Sequence, residues 1–213
     1  MSQPQVDREE GLRERHKREK LARIVAAARE LFSTKGYSET TLRDVAKIAE
    51  VATGTIFLYV ESKEELLSIV FERELAPAVE RGLATLPAAD VEQQLLHMFK
   101  AVADLHARNT ELSLAFVREM TFRKKPPIEG DGYMHTWHTA IYRLVEAAQT
   151  RGEIEAAWSS RTVGFAALRL FLMTQAYWLS GRWGQADMEA DLKTSLALLL
   201  RGLRPRDEHV AAG

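Results

Sequence analysis

Two helix-start signatures set twenty-one residues apart, Thr41–Asp44 and Ser62–Glu65, constrain this chain more than any other feature of its sequence. A hydroxyl three residues ahead of a carboxylate lets each side chain satisfy a backbone N–H of the first helical turn. Between the two starts there is room for a short helix from Thr41 to about Ala49, a tight turn, and a second short helix to about Val60. Ser62 then opens a long helix to about Leu86, expected to bend at Pro77, whose ring removes one backbone hydrogen bond. Upstream, Leu21, Ile24, Val25, Ala28, Leu31 and Phe32 recur at the spacing of one buried helix face, and Gly36 after Lys35 fits a left-handed C-cap. Two short helices joined by a turn of this length describe a helix-turn-helix. Val45, Ala46, Val51 and Ile56 fall where the two helices must touch, leaving Thr53, Gly54, Thr55, Phe57 and Tyr59 to face away. Spacing alone suits any other pair of short packed helices equally.

Further helical stretches are readable over residues 90–107, 109–124, 133–151, 160–180 and 187–203. The stretch from Lys124 to Gly132 reads as one long loop, and no alternating strand pattern of useful length is present. The expected fold is all-α with about nine helices: an N-terminal three-helix domain containing the helix-turn-helix, and a C-terminal helical bundle. The expected boundaries are a disordered arm over 1–11, a DNA-binding domain over 12–65, a ligand-binding and dimerisation domain over 66–203, and a disordered tail over 204–213.

A net charge of −1 argues by itself against a strongly basic nucleic-acid binder, but the charge is segregated. Residues 12–63 hold eleven Lys and Arg against seven Asp and Glu, whereas residues 64–213 hold seventeen against twenty. Part of the excess is the run Arg13, Arg15, Lys17, Arg18, Lys20 and Arg23. With Glu14 and Glu19 interleaved it reads either as a solvated helix face or as an extension lying near a DNA backbone. The absence of cysteine excludes disulfides, thiolate metal sites and cysteine nucleophiles. No apolar run reaches membrane-spanning length and the N-terminus is polar, so we expect no membrane segment, no secretory signal and a cytoplasmic location.

The run from Thr40 through Ala46, then Val51-Ala52-Thr53-Gly54-Thr55-Ile56-Phe57-Leu58-Tyr59-Val60, then Ser62-Lys63-Glu64-Glu65-Leu66, resembles the signature of TetR-family transcription regulators. Ala27, Arg29-Glu30-Leu31-Phe32 and Lys35-Gly36-Tyr37 resemble the end of that family's first helix, so the likeness covers about residues 20–70 strongly. It implies that Thr41 meets phosphate and that Arg43 reaches a base edge or phosphate, guanine being the natural bidentate partner. It implies base contacts from Thr53, Gly54 and Thr55, and backbone clamping by Tyr59 and Lys63. Two positions depart from the pattern. Glu50 stands in a turn where the family prefers glycine, so the turn is expected to be strained. Phe57 replaces a tyrosine, which deletes a phosphate hydrogen bond and leaves apolar contact, such as with a thymine methyl.

In the second domain, Phe99, Phe116, Met120, Trp137, Tyr142 and Trp178 are the candidates for an apolar effector pocket, although aromatics at helical spacing are as readily plain core. His135 and His138 lie three apart on one helix and could seat a metal only with a third ligand such as His97 or His106; no arrangement fixes that partner, and no metal or cofactor is expected. No nucleophile elbow, phosphate loop or dinucleotide fingerprint occurs, so the chain is not expected to be an enzyme. Apolar residues on two sides of the last helices (Val163, Ala167, Leu170, Thr174 and Tyr177; Phe165, Leu168, Leu172 and Leu179), with Leu192, Leu196, Leu199 and Leu203, point to a homodimer. The reading is thus a ligand-responsive repressor that binds a palindromic double-stranded operator as a dimer and answers to a small-molecule effector. Its alternatives are an activator, a ligand-independent regulator or an all-helical enzyme.

Overall fold

The computed structural model describes the backbone over residues 3–122 and 133–204 and the side chains over residues 14–122 and 135–204. Among the described residues are nine helices and no strand: α1 (Gln3–Thr34), α2 (Leu42–Ile48), α3 (Thr53–Ile56), α4 (Lys63–Ala84), α5 (Val91–His106), α6 (Thr110–Phe122), α7 (Tyr133–Thr150), α8 (Ser160–Leu179) and α9 (Gln185–Arg201). The all-α expectation holds. Most helix ends fall within two residues of those read from the sequence, because Asp90, Ser159 and Gly184 mark real N-caps. Helical backbone begins at Gln3, inside the segment expected as an arm. The loop expected from Lys124 to Gly132, and residues 205–213 of the expected tail, lie outside the described residues.

The helices fall into two compact units, Met1–Phe71 with Arg118–Phe122, and Glu72–Val117 with Arg123–Gly213, so that α4 and α6 each run from one into the other. The first unit closes on Ile24, Val25, Ala28 and Phe32 of α1, Val45 and Ala46 of α2, Ile56 of α3, and Leu66, Leu67 and Val70 of α4, all buried. Each of these side chains larger than alanine contributes roughly 1.5–3 kcal/mol by leaving water. α4 continues through Pro77 without ending.

The second unit is a bundle in which α8 packs on α7 and α9, and α5 packs on α7 and α9. Gly164 lets α8 approach α7 closely, since a Cβ there would come within 2.6 Å of the Tyr142 ring. At the centre, Phe99 of α5 stacks on Phe171 of α8 at 4.6 Å between centroids and meets Trp137 of α7 edge-on at 5.9 Å. The leucine repeat of α9 corrects an expectation. Leu192, Leu196 and Leu203 close inside their own chain, with Leu196 at 0% exposure, and the outward residue is Leu198 at 63%. On α8, Leu168 and Leu179 are likewise internal, while Phe165, Leu172 and Met173 are exposed.

Candidate nucleic-acid interface

The Thr41 hydroxyl accepts from Asp44 N at 3.2 Å, and the Asp44 carboxylate accepts from Thr41 N at 3.0 Å, closing the capping box at the start of α2. The Thr41 hydroxyl also donates to that carboxylate at 2.9 Å, as does the Lys35 ammonium at 2.8 Å. Lys35 and these bonds hold the Asp44 carboxyl well below the usual carboxylate range. Thr41 is therefore committed to positioning α2 rather than standing free for a phosphate. Arg43, two residues along, is exposed.

The turn between α2 and α3 is a Schellman motif: Val51 N donates to Ala46 O at 3.0 Å and Glu50 N to Lys47 O at 3.4 Å. Its left-handed residue is Glu50, with φ +54°, where glycine carries no Cβ penalty. The strain expected from the sequence is present, on the order of 1–2 kcal/mol. Gly36, at φ +91°, ends α1 in the same conformation without that cost.

The second helix of the motif is shorter than expected. Regular α3 ends at Ile56, and tighter bonds, Leu58 N to Thr55 O and Tyr59 N to Ile56 O, carry the chain through a turn to Val60. Ile56 and Val60 are buried, which fixes this segment on the unit and presents its other side outward. Gly54 is exposed and a Cβ there would meet nothing within 4 Å, so the fold itself does not call for glycine. Thr53, Thr55 and Tyr59 are half-buried, and Phe57 is 56% exposed. Leu58, which the sequence reading passed over, is 77% exposed. Its signal was available, since an apolar residue next to outward Phe57 and away from Ile56 has no core position to fill.

Lys63 does not stand free. Its ammonium donates to the carbonyls of Tyr37, Ser38 and Thr40 at 2.9, 3.2 and 3.1 Å and lies 4.4 Å from the Tyr37 ring centroid. All three donors are engaged in fastening the α1–α2 connection to the start of α4. At that start the Ser62 hydroxyl accepts from Glu65 N at 3.2 Å, as the second signature required. Arg43, Thr53, Gly54, Thr55, Phe57, Leu58 and Tyr59 thus form the outward set, with Thr41 and Lys63 behind them.

The pattern described as "Bacterial regulatory proteins, tetR family" matches residues 24–69, the stretch holding this site. Over residues 24–69 the chain carries the TetR-family pattern. It is 37% identical over 67 residues to the fatty acid metabolism regulator protein of Bacillus subtilis (strain 168), a match covering 32% of this chain and 34% of that protein. The chain thus aligns with about a third of that relative's length. It is 26% identical over 172 residues to the HTH-type transcriptional repressor BepR of Brucella suis, covering 76% of this chain and 81% of the relative. Among solved structures it resembles Thermus thermophilus FadR, a TetR-family transcriptional repressor in complex with lauroyl-CoA, at 27% identity and TM-score 0.69, over 91% of this chain and 100% of that one. FadR of Bacillus subtilis in complex with stearoyl-CoA shares the fold at 21% identity and TM-score 0.63, over 86% of this chain and 99% of that one.

The six residues expected to form an effector pocket are not one group. Phe99 and Trp137 belong to the stacked core cluster with Phe171. Tyr142 packs over Gly164 and lies 6.1 Å from the His138 ring, and Trp178 is half-buried against the core. Phe116 stacks on His106 at 6.3 Å, and Met120 lies in the part of α6 that belongs to the first unit. Burial pushes His106 down to about 4, so its imidazole is neutral near pH 7. His97, considered as a metal ligand, instead contacts the Thr85 hydroxyl and the Gly82 carbonyl. Among the described residues no three His, Asp or Glu side chains are grouped to hold a metal ion, and no helix is long and apolar enough to cross a membrane.

Proposed function

We propose that this chain is a transcriptional repressor that acts in the cytoplasm, reads a palindromic operator as a homodimer, and releases it on binding a fatty acyl-CoA. The observation that carries the DNA-binding part is the outward set on α2 and α3. Gly54, Phe57 and Leu58 are positions the core does not use, beside an exposed arginine. Arg43 reaches guanine or a phosphate, Thr53 and Thr55 approach base edges, and Gly54 admits DNA close to the backbone. Phe57 and Leu58 meet thymine methyls, Tyr59 holds the sugar-phosphate chain, and Thr41 and Lys63 keep the helices in place. Residues 12–65 serve as the DNA-binding domain and 66–203 as the effector and dimerisation domain. The exposed row Phe165, Leu172 and Met173 of α8 with Leu198 of α9 supplies the surface that a second copy covers.

The acyl-CoA class is supported by the Thermus protein bound to lauroyl-CoA, which aligns with 91% of this chain, and by the Bacillus regulator of fatty acid metabolism. The test begins with selection of duplexes from a random pool. The recovered operator is then titrated by fluorescence anisotropy with wild type, Arg43→Ala and Thr55→Ala. Each variant is expected to lose about 1–3 kcal/mol of specific binding. Lauroyl-CoA should release the duplex, whereas free laurate and free coenzyme A should not. A pool that yields no enriched sequence ends the operator reading. An operator complex indifferent to acyl-CoA ends the effector assignment and leaves a ligand-independent regulator.

A further inference from the structure

We propose that the solvent-exposed basic stretch of α1, carried by Lys17, Arg18 and Lys20, is a second contact with double-stranded DNA that holds phosphates beside the operator without reading sequence. This rests on the operator-binding reading above and adds a surface outside the helix-turn-helix. α1 has 32 residues, a rod of about 48 Å. Among the described residues its first buried side chains are Ile24 and Val25, and every residue from Glu14 through Lys20 is exposed. Two turns of helix therefore have no packed face. A helix polar on all sides is marginal in water without a partner, and the exposed Arg15–Glu19 pair at 3.3 Å adds only a few tenths of a kcal/mol.

The register says where the charge points. Lys20 and Lys17 lie four and seven residues before Ile24, within about 40° of it around the axis at about 100° per residue. The row that is apolar and buried from Ile24 onward thus holds Lys20 and Lys17 before it, with Glu14 about 80°, Arg18 about 120° and Glu19 about 140° round the axis. α1 packs on α2, and the ammonium groups continue the row that is buried within the same unit from Ile24 onward. Residues 12–23 hold six Lys and Arg against two Glu in a chain of net charge −1. A partner made of closely spaced anions fits this surface. Double-stranded DNA offers one phosphate charge per about 1.7 Å. An anionic membrane fits poorly, because an interfacial helix needs an apolar face opposite its basic one.

The test uses full-length protein, the selected operator and a scrambled duplex, each in a short form and one extended by about ten base pairs per side, one helical turn. Binding is titrated across a salt series for wild type, Lys17→Gln/Arg18→Gln/Lys20→Gln, the matching Lys→Arg variant and Arg43→Ala. The Gln variant is expected to lose at least about tenfold in affinity for operator and scrambled duplex alike, to lower the salt slope by about 2–3, and to abolish any preference for the extended duplex. The Arg variant should behave as wild type, and thermal melting of both should match wild type, since the altered side chains touch no core. Arg43→Ala should instead collapse the ratio of specific to non-specific binding. Wild-type affinity and slope in the Gln variant, with specificity lost in Arg43→Ala, overturns this contact while the operator reading stands; an acidic protein partner would then remain for the segment. If wild type enriches no duplex, the operator reading fails and this contact falls with it.

Discussion

The ammonium of Lys63 sits 4.4 Å from the centre of the Tyr37 ring and donates to the Tyr37 carbonyl at 2.9 Å. One side chain thereby ties the α1–α2 connection to the first turn of α4. Lys63→Met keeps the stem and deletes the three donated bonds. We expect a loss of about 1–3 kcal/mol in unfolding free energy, with operator affinity lowered but the salt slope unchanged. A slope lower by about one at unchanged stability would show that Lys63 holds a phosphate instead.

Glu50→Gly removes the Cβ from a left-handed residue at φ +54°. Relief of about 1–2 kcal/mol is offset in part by the freedom glycine gains in the unfolded chain, about 0.5–1 kcal/mol. A modest rise in the denaturant midpoint is the expected result. A fall would mean that the glutamate side chain contributes something the turn geometry does not reveal.

Gly54→Ala separates fold from binding. A Cβ finds open space in the protein, and alanine favours helix over glycine by about 0.8–1 kcal/mol, so stability should hold or rise. Operator affinity should drop by about tenfold or more if DNA approaches the backbone there, each 1.4 kcal/mol being tenfold. Equal affinity in a titration of both proteins would remove Gly54 from the interface.

His106 is buried and its imidazole titrates near 4, against about 6.5 when unfolded. The unfolded chain therefore binds a proton first as pH falls. The contribution of this group is fully present above about pH 6.5 and is lost progressively toward pH 4, by about 3 kcal/mol at the limit. His106→Asn should flatten the stability profile over that window in urea titrations. A profile as steep as that of wild type would assign the pH dependence to other groups.

Leu172→Glu with Met173→Glu places charge on the exposed row of α8 and should yield folded monomer by sedimentation, where wild type is expected to sediment as a dimer. Leu196→Asp, at one of the leucines whose spacing pointed to a homodimer, should instead unfold the chain, because Leu196 is at 0% exposure in its own core. A wild type that sediments as a monomer at micromolar concentration would rule out the dimer.

Local chemistry made much of this readable in advance. Thr41 and Asp44 announce a helix start whatever surrounds them, and Ile24, Val25, Ala28 and Phe32 report a buried face by period alone. Glu50 was legible as strained because the resemblance placed it where the family prefers glycine, and its φ of +54° agrees. Lys63 was not. Nothing in its neighbours tells that three carbonyls some twenty-five residues upstream converge on its ammonium. The arrangement of the aromatic set was not legible for a similar reason. Phe99, Trp137 and Phe171 come from three helices, and only their packing shows that the rings fill one another's space, whereas Phe116 pairs with His106. The leucines of α9 carry a four-residue rhythm that cannot distinguish a helix's own neighbours from a partner's.

The left-handed glutamate has a genetic consequence. A domain that retains strain at one turn holds an unused stabilising substitution, available at a site outside the proposed base-contact set. Changes in Thr53, Thr55 or Phe57 that retune recognition while weakening the fold should be rescued by Glu50→Gly regardless of which residue was altered. In a genetic screen Glu50→Gly would recur as a global suppressor, widening the range of operator specificities that this small motif can explore.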